Sequence, residues 1–328
     1  MTEARRPPPS RPTPEAAVSL HGLTRRFGSL TAVDGLSFDV GHGELFGIVG
    51  PDGAGKTTTL RMLAGVLPPT EGTAHVAGVE VSTDPEGVKP HIAYMAQRFG
   101  LYEDLTVEEN LHFYADLYRV PRSERDARLE RLYRFSHLGA FSTRLAGQLS
   151  GGMKQKLSLS CCLVHRPKVL LLDEPTFGVD PISRRELWRI LHEMVAEGVT
   201  IVVSTAYLDE AERCDRVVLM SEGRALALDR PVTLQASLEG SMLAVRAGNA
   251  RGVRDALRAS PDVQTAALFG DTVHALVTDG SRADGIRHTL AAAGFADAEV
   301  TSVEASLEDL FIHLVGSVSY ARSGERET

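Results

Sequence analysis

A strand-like run from Glu44 to Val49 gives way to a helical pattern in which Leu60, Leu63 and Leu67 recur, ending at Pro68 and Pro69. Between the two lies Gly50-Pro51-Asp52-Gly53-Ala54-Gly55-Lys56-Thr57, which fits the phosphate-loop pattern G-x-x-x-x-G-K-S/T in the strand, loop and helix context that the pattern requires. Glycines let backbone N–H groups converge on anionic oxygens, and the helix start adds a favourable dipole. Lys56 is placed to reach β- and γ-phosphates, and Thr57 to offer its hydroxyl to Mg2+. Such a loop is built for a nucleoside triphosphate, with Gly50, Asp52, Gly53, Ala54, Gly55, Lys56, Thr57 and Thr58 as its nucleotide-contacting set.

Short apolar runs alternate with helical patterns from Val18 to about Leu228, which predicts an α/β fold with a parallel sheet covered by helices on both faces. Between about Arg98 and Gln148 the strand pattern vanishes and helical segments take over, Val107 to Tyr118 and Glu124 to His137 among them, so an inserted helical subdomain is expected. Lys168 to Leu172 then reads as a buried strand, followed by a helix burying Leu187, Ile190, Leu191 and Met194, and a strand at Val199 to Ser204. After about Leu238 the order β-α-β-β-α-β predicts a small ferredoxin-like α+β domain, closed by a helix from Leu307 to Val315. The predicted organisation is a Pro/Arg-rich disordered tail at 1–17, an ATPase domain at 18–238 with its helical subdomain at 98–148, an accessory domain at 239–316 and a flexible tail at 317–328.

Overall charge bears on partners. A formal net charge of −8 gives no general reason to bind nucleic acid. Of the 3 cysteines, Cys161 and Cys162 are adjacent, a spacing that suits neither a disulfide framework nor a zinc site. No apolar run approaches the ~18 residues of a membrane-spanning helix, and the first residues carry Arg5, Arg6 and several prolines rather than a secretory core, so a cytoplasmic chain is expected.

A phosphate loop alone says only that a nucleotide binds. The class comes from Leu149-Ser150-Gly151-Gly152-Met153-Lys154-Gln155 ahead of a helix, and from Val169-Leu170-Leu171-Leu172-Asp173-Glu174, an aliphatic strand ending in two carboxylates. In this order the two stretches resemble the signature motif and Walker B strand of ATP-binding-cassette (ABC) ATPases. Gln97 matches the family's Q-loop, and Glu174-Pro175-Thr176-Phe177-Gly178-Val179-Asp180-Pro181 its D-loop region. The C-terminal domain ending in Leu307-Glu308-Asp309-Leu310-Phe311 resembles the multidrug-exporter branch, and the chain looks like the first cassette of fused two-cassette exporters.

The resemblance implies an α/β P-loop ATPase of ABC type that powers export by a separate integral membrane permease, bound to the inner face of the cell membrane. ATP and Mg2+ are the implied ligands. By the same resemblance Phe27 stacks on adenine, Thr57, Gln97 and Asp173 serve Mg2+, and Glu174 acts as general base with Gln97 and Lys56 in the catalytic set. Ser150, Gly151 and Gly152, with Asp180, are implied to meet ATP held by an opposing protomer, so that a second ABC ATPase subunit, in a homodimer or heterodimer, completes the site.

The sequence departs from the family at Ala206, where a histidine is usual, at Asp52 (commonly Asn) and at Phe177 (commonly Ser). A methyl group cannot hydrogen-bond a γ-phosphate, and losing one donor to developing charge costs on the order of 10²–10³ in rate, so a slow site is expected. Two other functions fit less of the sequence. A soluble ABC ATPase acting on ribosomes or DNA usually carries two cassettes or a long insertion, and a nucleotide sensor that scarcely hydrolyses ATP leaves Glu174 unexplained.

Overall fold

The computed structural model describes residues 16–98, 100–278 and 283–324, with residues 317–324 as backbone alone. It divides into two compact units that meet between Ala225 and Leu226.

The first unit opens with β1 (Ala16–Phe27) and β2 (Leu30–Gly41), an antiparallel pair joined by a turn at Gly28 and Ser29. Most of the expected 1–17 tail lies outside the described residues, but Ala16 pairs with Gly41 and Ala17 is buried, so its end belongs to the strand. Next come β3 (Leu45–Val49), α1 (Lys56–Leu63), β4 (Glu71–Val76), β5 (Val79–Glu80), the short α2 (Pro85–Val88) and β6 (Ile92–Met95). One sheet, in the order β2-β1-β4-β5, is antiparallel throughout. A parallel sheet alone was expected here. The two-residue hairpin connection explains the difference, because parallel neighbours need a long crossover and β1 and β2 have none.

The helical stretch follows: α3 (Val107–Leu117), α4 (Arg122–Ser136) and α5 (Gly151–Leu163). Thr106 and Glu109 close a reciprocal capping box on α3. Val107, Leu111, Leu129 and Leu132 share an apolar core with Leu149, Leu157 and Cys161. The helical body therefore extends past the expected end at Gln148, because the inner face of α5 completes its core. The chain then runs through β7 (Val169–Asp173), α6 (Pro181–Ala196), β8 (Thr200–Thr205), α7 (Leu208–Ala211) and β9 (Arg216–Ser221). Strands β9-β3-β8-β7-β6 lie side by side and parallel. Strands β3, β7 and β8 are buried at every position, as expected of a sheet covered on both faces. The three cysteines are free and buried.

Helix α6 shows how this unit is held. Asp180 caps it by accepting from the Ile182 and Ser183 N–H groups, and Leu187, Ile190, Leu191 and Met194 are buried together with Trp188. We expect Trp188→Ala to destabilise the unit by about 3–5 kcal/mol in urea unfolding. Trp188→Phe should cost well under that, since the indole N–H it removes has no hydrogen-bond partner among the described residues. Trp188 is the chain's single tryptophan, so circular dichroism is the probe of choice.

The chain turns at Glu222 and Gly223, both at positive φ, into β10 (Arg224–Asp229), and the division between the two compact units falls within that strand. The second unit continues through α8 (Pro231–Ala236), β11 (Ser241–Arg246), α9 (Ala250–Arg258), β12 (Val263–Phe269), β13 (Thr272–Val277), α10 (Ala283–Ala292), β14 (Glu299–Val303) and α11 (Leu307–Gly324). Its sheet, β12-β13-β11-β14, has the ferredoxin-like order and buries Leu243, Val245, Val273 and Ala275 against Val253, Leu257, Ile286 and Leu290. Helix α11 passes through part of the region expected to be a tail from 317 on, because nothing between Ser317 and Gly324 breaks a helix: no proline occurs there. No helix among the described residues is long and apolar enough to cross a membrane.

Candidate functional site

The parallel sheet brings the sequence motifs to one edge. Register pairs Val49 with Thr205, Ser204 with Asp173, and Leu172 with Met95. Gly50, Glu174, Ala206 and Gln97 therefore all emerge at or just beyond the carboxyl ends of neighbouring strands, the place where open α/β sheets bind ligands.

Glycine is required at two points of the loop. A Cβ at Gly50 would lie 2.2 Å from the Met220 carbonyl oxygen, and one at Gly55, where φ is 101°, would lie 2.5 Å from that of Ala32. Gly55 leads directly into α1, so the first N–H groups of that helix stay available to an anion. Lys56, only 4% exposed, donates to the Gly50 and Pro51 carbonyls at 2.7 and 3.1 Å and forms an ion pair with Glu174 at 3.0 Å. The amine is thus fixed over the loop it serves.

Asp173, 1% exposed, accepts from three hydroxyls: Thr57 and Ser204 on Oδ1 at 3.0 and 2.8 Å, and Tyr94 on Oδ2 at 3.3 Å. Burial, reinforced by the Asp173 charge, pushes the Tyr94 phenol up to about 12, so it stays a donor. Glu174 sits at φ 50°, a left-handed backbone uncommon outside glycine. Its N–H donates to the hydroxyl and carbonyl of Ser204 at 3.0 and 3.2 Å, and its carboxylate lies between Lys56 and the Gln97 amide, which donates to Oε2 at 3.0 Å. Strain of this kind costs about 1–3 kcal/mol and persists where neighbours over-determine it.

These groups face a cleft of about 700 Å³ lined by the loop from Asp52 to Thr58 and by Phe27, Gln97, Glu174 and Glu222. Phe27 is 45% exposed, with the Arg25 guanidinium 4.6 Å from its ring centre, leaving an accessible aromatic surface. Gly50 and Asp173 lie behind the lining. The hydroxyl of Thr57 against the carboxylate of Asp173 is an all-oxygen donor set of the kind a hard divalent cation takes.

The other predicted residues stand elsewhere. Ser150 caps α5 by accepting from the Met153 N–H at 3.3 Å, and Asp180 caps α6, its carboxyl held below the usual range by the Ser183 N–H and hydroxyl. A Cβ on Gly152 would meet the Ser183 hydroxyl at 2.3 Å, so the two helix starts touch. Neither lines the cleft. Phe177, 58% exposed, and Asp52 are open to solvent, and Ala206 is exposed just past β8. Sequence reasoning missed Tyr94 and Ser204 as partners of the carboxylates. The available signal was a polar side chain near the carboxyl end of each buried strand.

The sequence profile of the ABC transporter family matches residues 33–177. The "Probable multidrug ABC transporter ATP-binding protein YbhF" of Escherichia coli (strain K12) is 45% identical over 314 residues, covering 94% of this chain but 54% of YbhF, so the chain spans about half of that relative. The "Nod factor export ATP-binding protein I" of Paraburkholderia xenovorans (strain LB400) is 36% identical over 305 residues, 92% of this chain and 98% of the relative. Among solved structures, the dimeric post-hydrolysis state of the ATP-binding cassette MJ0796 bound to ADP and Pi superposes with a TM-score of 0.59 at 25% identity, covering 65% of this chain and 98% of that one. Likeness sustained from end to end of a curated relative, on a sheet edge organised as described, settles the family: the chain belongs to the ATP-binding proteins of ABC transporters.

Proposed function

We propose that the chain binds and hydrolyses ATP to power export by a separate membrane-spanning permease, working at the inner face of the membrane as part of a nucleotide-sandwich dimer. The observation that carries this reading is the Glu174 carboxylate, held at the cleft between the Lys56 amine and the Gln97 amide. A carboxylate so placed can take a proton from water attacking a γ-phosphate, and Lys56 can neutralise the charge that develops. The loop amides and the α1 N-terminus hold the phosphates, and the exposed Phe27 ring offers adenine a stacking surface. Thr57, Asp173 and Gln97 would hold Mg2+, which when bound neutralises phosphate charge. Ser150, Gly151, Gly152 and Asp180, set apart from the cleft at two touching helix starts, suit contact with ATP on a second cassette.

Ala206 favours a partner that is not identical. A cassette lacking one donor works best beside one that has it, and the chain's span of about half of YbhF leaves room in that relative for a second cassette. The test is light scattering of the purified chain with parallel phosphate release. ATP with Mg2+ is expected to double the mass and give slow turnover that chelation by EDTA abolishes. A chain that neither binds ATP nor changes mass would overturn the reading.

A further inference from the structure

Beyond the cleft, one buried carboxylate has no place in the chemistry proposed above. Glu210, on α7, is 1% exposed. Its Oε2 accepts from the Thr205 hydroxyl at 2.7 Å and the Thr176 hydroxyl at 2.9 Å, and its Oε1 lies 3.3 Å from Nε of Arg184 on α6. The Thr205 hydroxyl in turn accepts from the Tyr207 N–H at 3.0 Å, and the Arg184 guanidinium sits 4.4 Å from the Tyr207 ring centre. Thr176 and Thr205 are themselves buried. One carboxylate thus joins the segment leaving β7, the segment leaving β8 and the first turns of α6.

Burying an ion pair is a poor way to gain stability, since desolvation offsets most of the attraction and apolar residues of the same volume often do as well. Fixing geometry is the better account here. Thr176 is two residues from Glu174, and Thr205 follows Ser204, whose hydroxyl and carbonyl hold the Glu174 N–H. The left-handed backbone of Glu174 is therefore restrained on one side by Ser204 and on the other, through Thr176, by Glu210. The geometry points to Glu210 as a positioning residue that sets the Glu174 carboxylate against Lys56 and Gln97 and holds the segment bearing Ala206 in register with it. The inference rests on the hydrolytic reading, because positioning matters only if Glu174 does chemistry.

The test compares the wild-type chain with Glu210→Gln, Thr176→Val and Thr205→Val. Turnover number, KM for ATP, equilibrium affinity for a fluorescent ATP analogue and melting temperature are measured for each. Displacing a reacting group by a fraction of an ångström to an ångström costs up to about a hundredfold. Glu210→Gln is accordingly expected to lower kcat at least about tenfold, with KM and analogue affinity within about twofold of wild type. The threonine variants, which each delete one hydroxyl at nearly constant shape, should lower kcat in the same direction by less, so the outcome does not depend on Glu210→Gln folding. Variants that keep wild-type kcat and only melt earlier would reduce Glu210 to a brace and leave the hydrolytic reading standing. A wild-type chain that binds the analogue but releases no phosphate, either alone or mixed with a second cassette, would remove both.

Discussion

Glu174→Gln is expected to abolish steady-state turnover while ATP binding survives. The amide keeps the shape of the side chain and can still accept from the Gln97 amide, but it cannot take a proton. A positioned general base contributes typically about 10²–10⁴ in rate, and a loss of that order is the expected result. The second consequence follows from the ion pair. Lys56 is paired with Glu174 at 3.0 Å as well as bonded to the Gly50 and Pro51 carbonyls, so the two opposite charges satisfy each other. Neutralising Glu174 frees Lys56 for phosphate, and affinity for ATP should hold or rise.

If dimer opening depends on hydrolysis, the substituted chain stays closed, and light scattering in ATP and Mg2+ will show a stable species of twice the mass that wild type forms only transiently. Single-turnover phosphate release separates the outcomes. A Glu174→Gln chain that still hydrolyses within about tenfold of wild type removes Glu174 as the base. One that loses ATP binding means the Lys56 ion pair supports the loop, so the carboxylate is structural first.

The sequence showed the loop and the carboxylate pair because both are written in consecutive residues whose types the chemistry restricts. Glycine at 50 and 55 is demanded by backbone oxygens of Met220 and Ala32, and the four aliphatics before Asp173 by burial on both faces of a parallel sheet. What consecutive residues do not carry is partnership across strands. Tyr94, Ser204 and Glu210 reach the carboxylates or their flanking segments only because β6, β7 and β8 align in one register, and nothing local distinguishes Ser204 from any serine at a strand end. The antiparallel sheet was obscured for a related reason: β1 and β2 have the apolar content of core strands, and only their short connection sets their direction. The core of the helical body likewise crosses the signature sequence, since the inner face of α5 packs with residues of α3 and α4.

Ala206→His is expected to raise turnover of the purified chain by between about tenfold and a few hundredfold, most of it in kcat. One positioned donor to the charge that develops on a transferring phosphoryl group is worth about 10²–10³ in rate, and the lower bound allows for a ring less well placed than an evolved one. The segment is prepared to hold it. Thr205, immediately before, is buried and bonded to Glu210, and the Tyr207 N–H, immediately after, donates to the Thr205 hydroxyl, so position 206 has a defined backbone although its side chain is exposed. Little reorganisation is needed when a donor is added to a fixed frame, which is why the gain should fall on kcat rather than on KM. Adding Glu174→Gln to Ala206→His should return turnover to background, since the imidazole supplies charge stabilisation and not the base. Adding Glu210→Gln should shrink the gain from His without touching analogue affinity. If Ala206→His leaves kcat where it was, the missing donor is not what limits this cassette. The limit then lies in the absent second subunit, and mixing the chain with a second cassette that presents its own signature helix start is the condition under which its site should turn over.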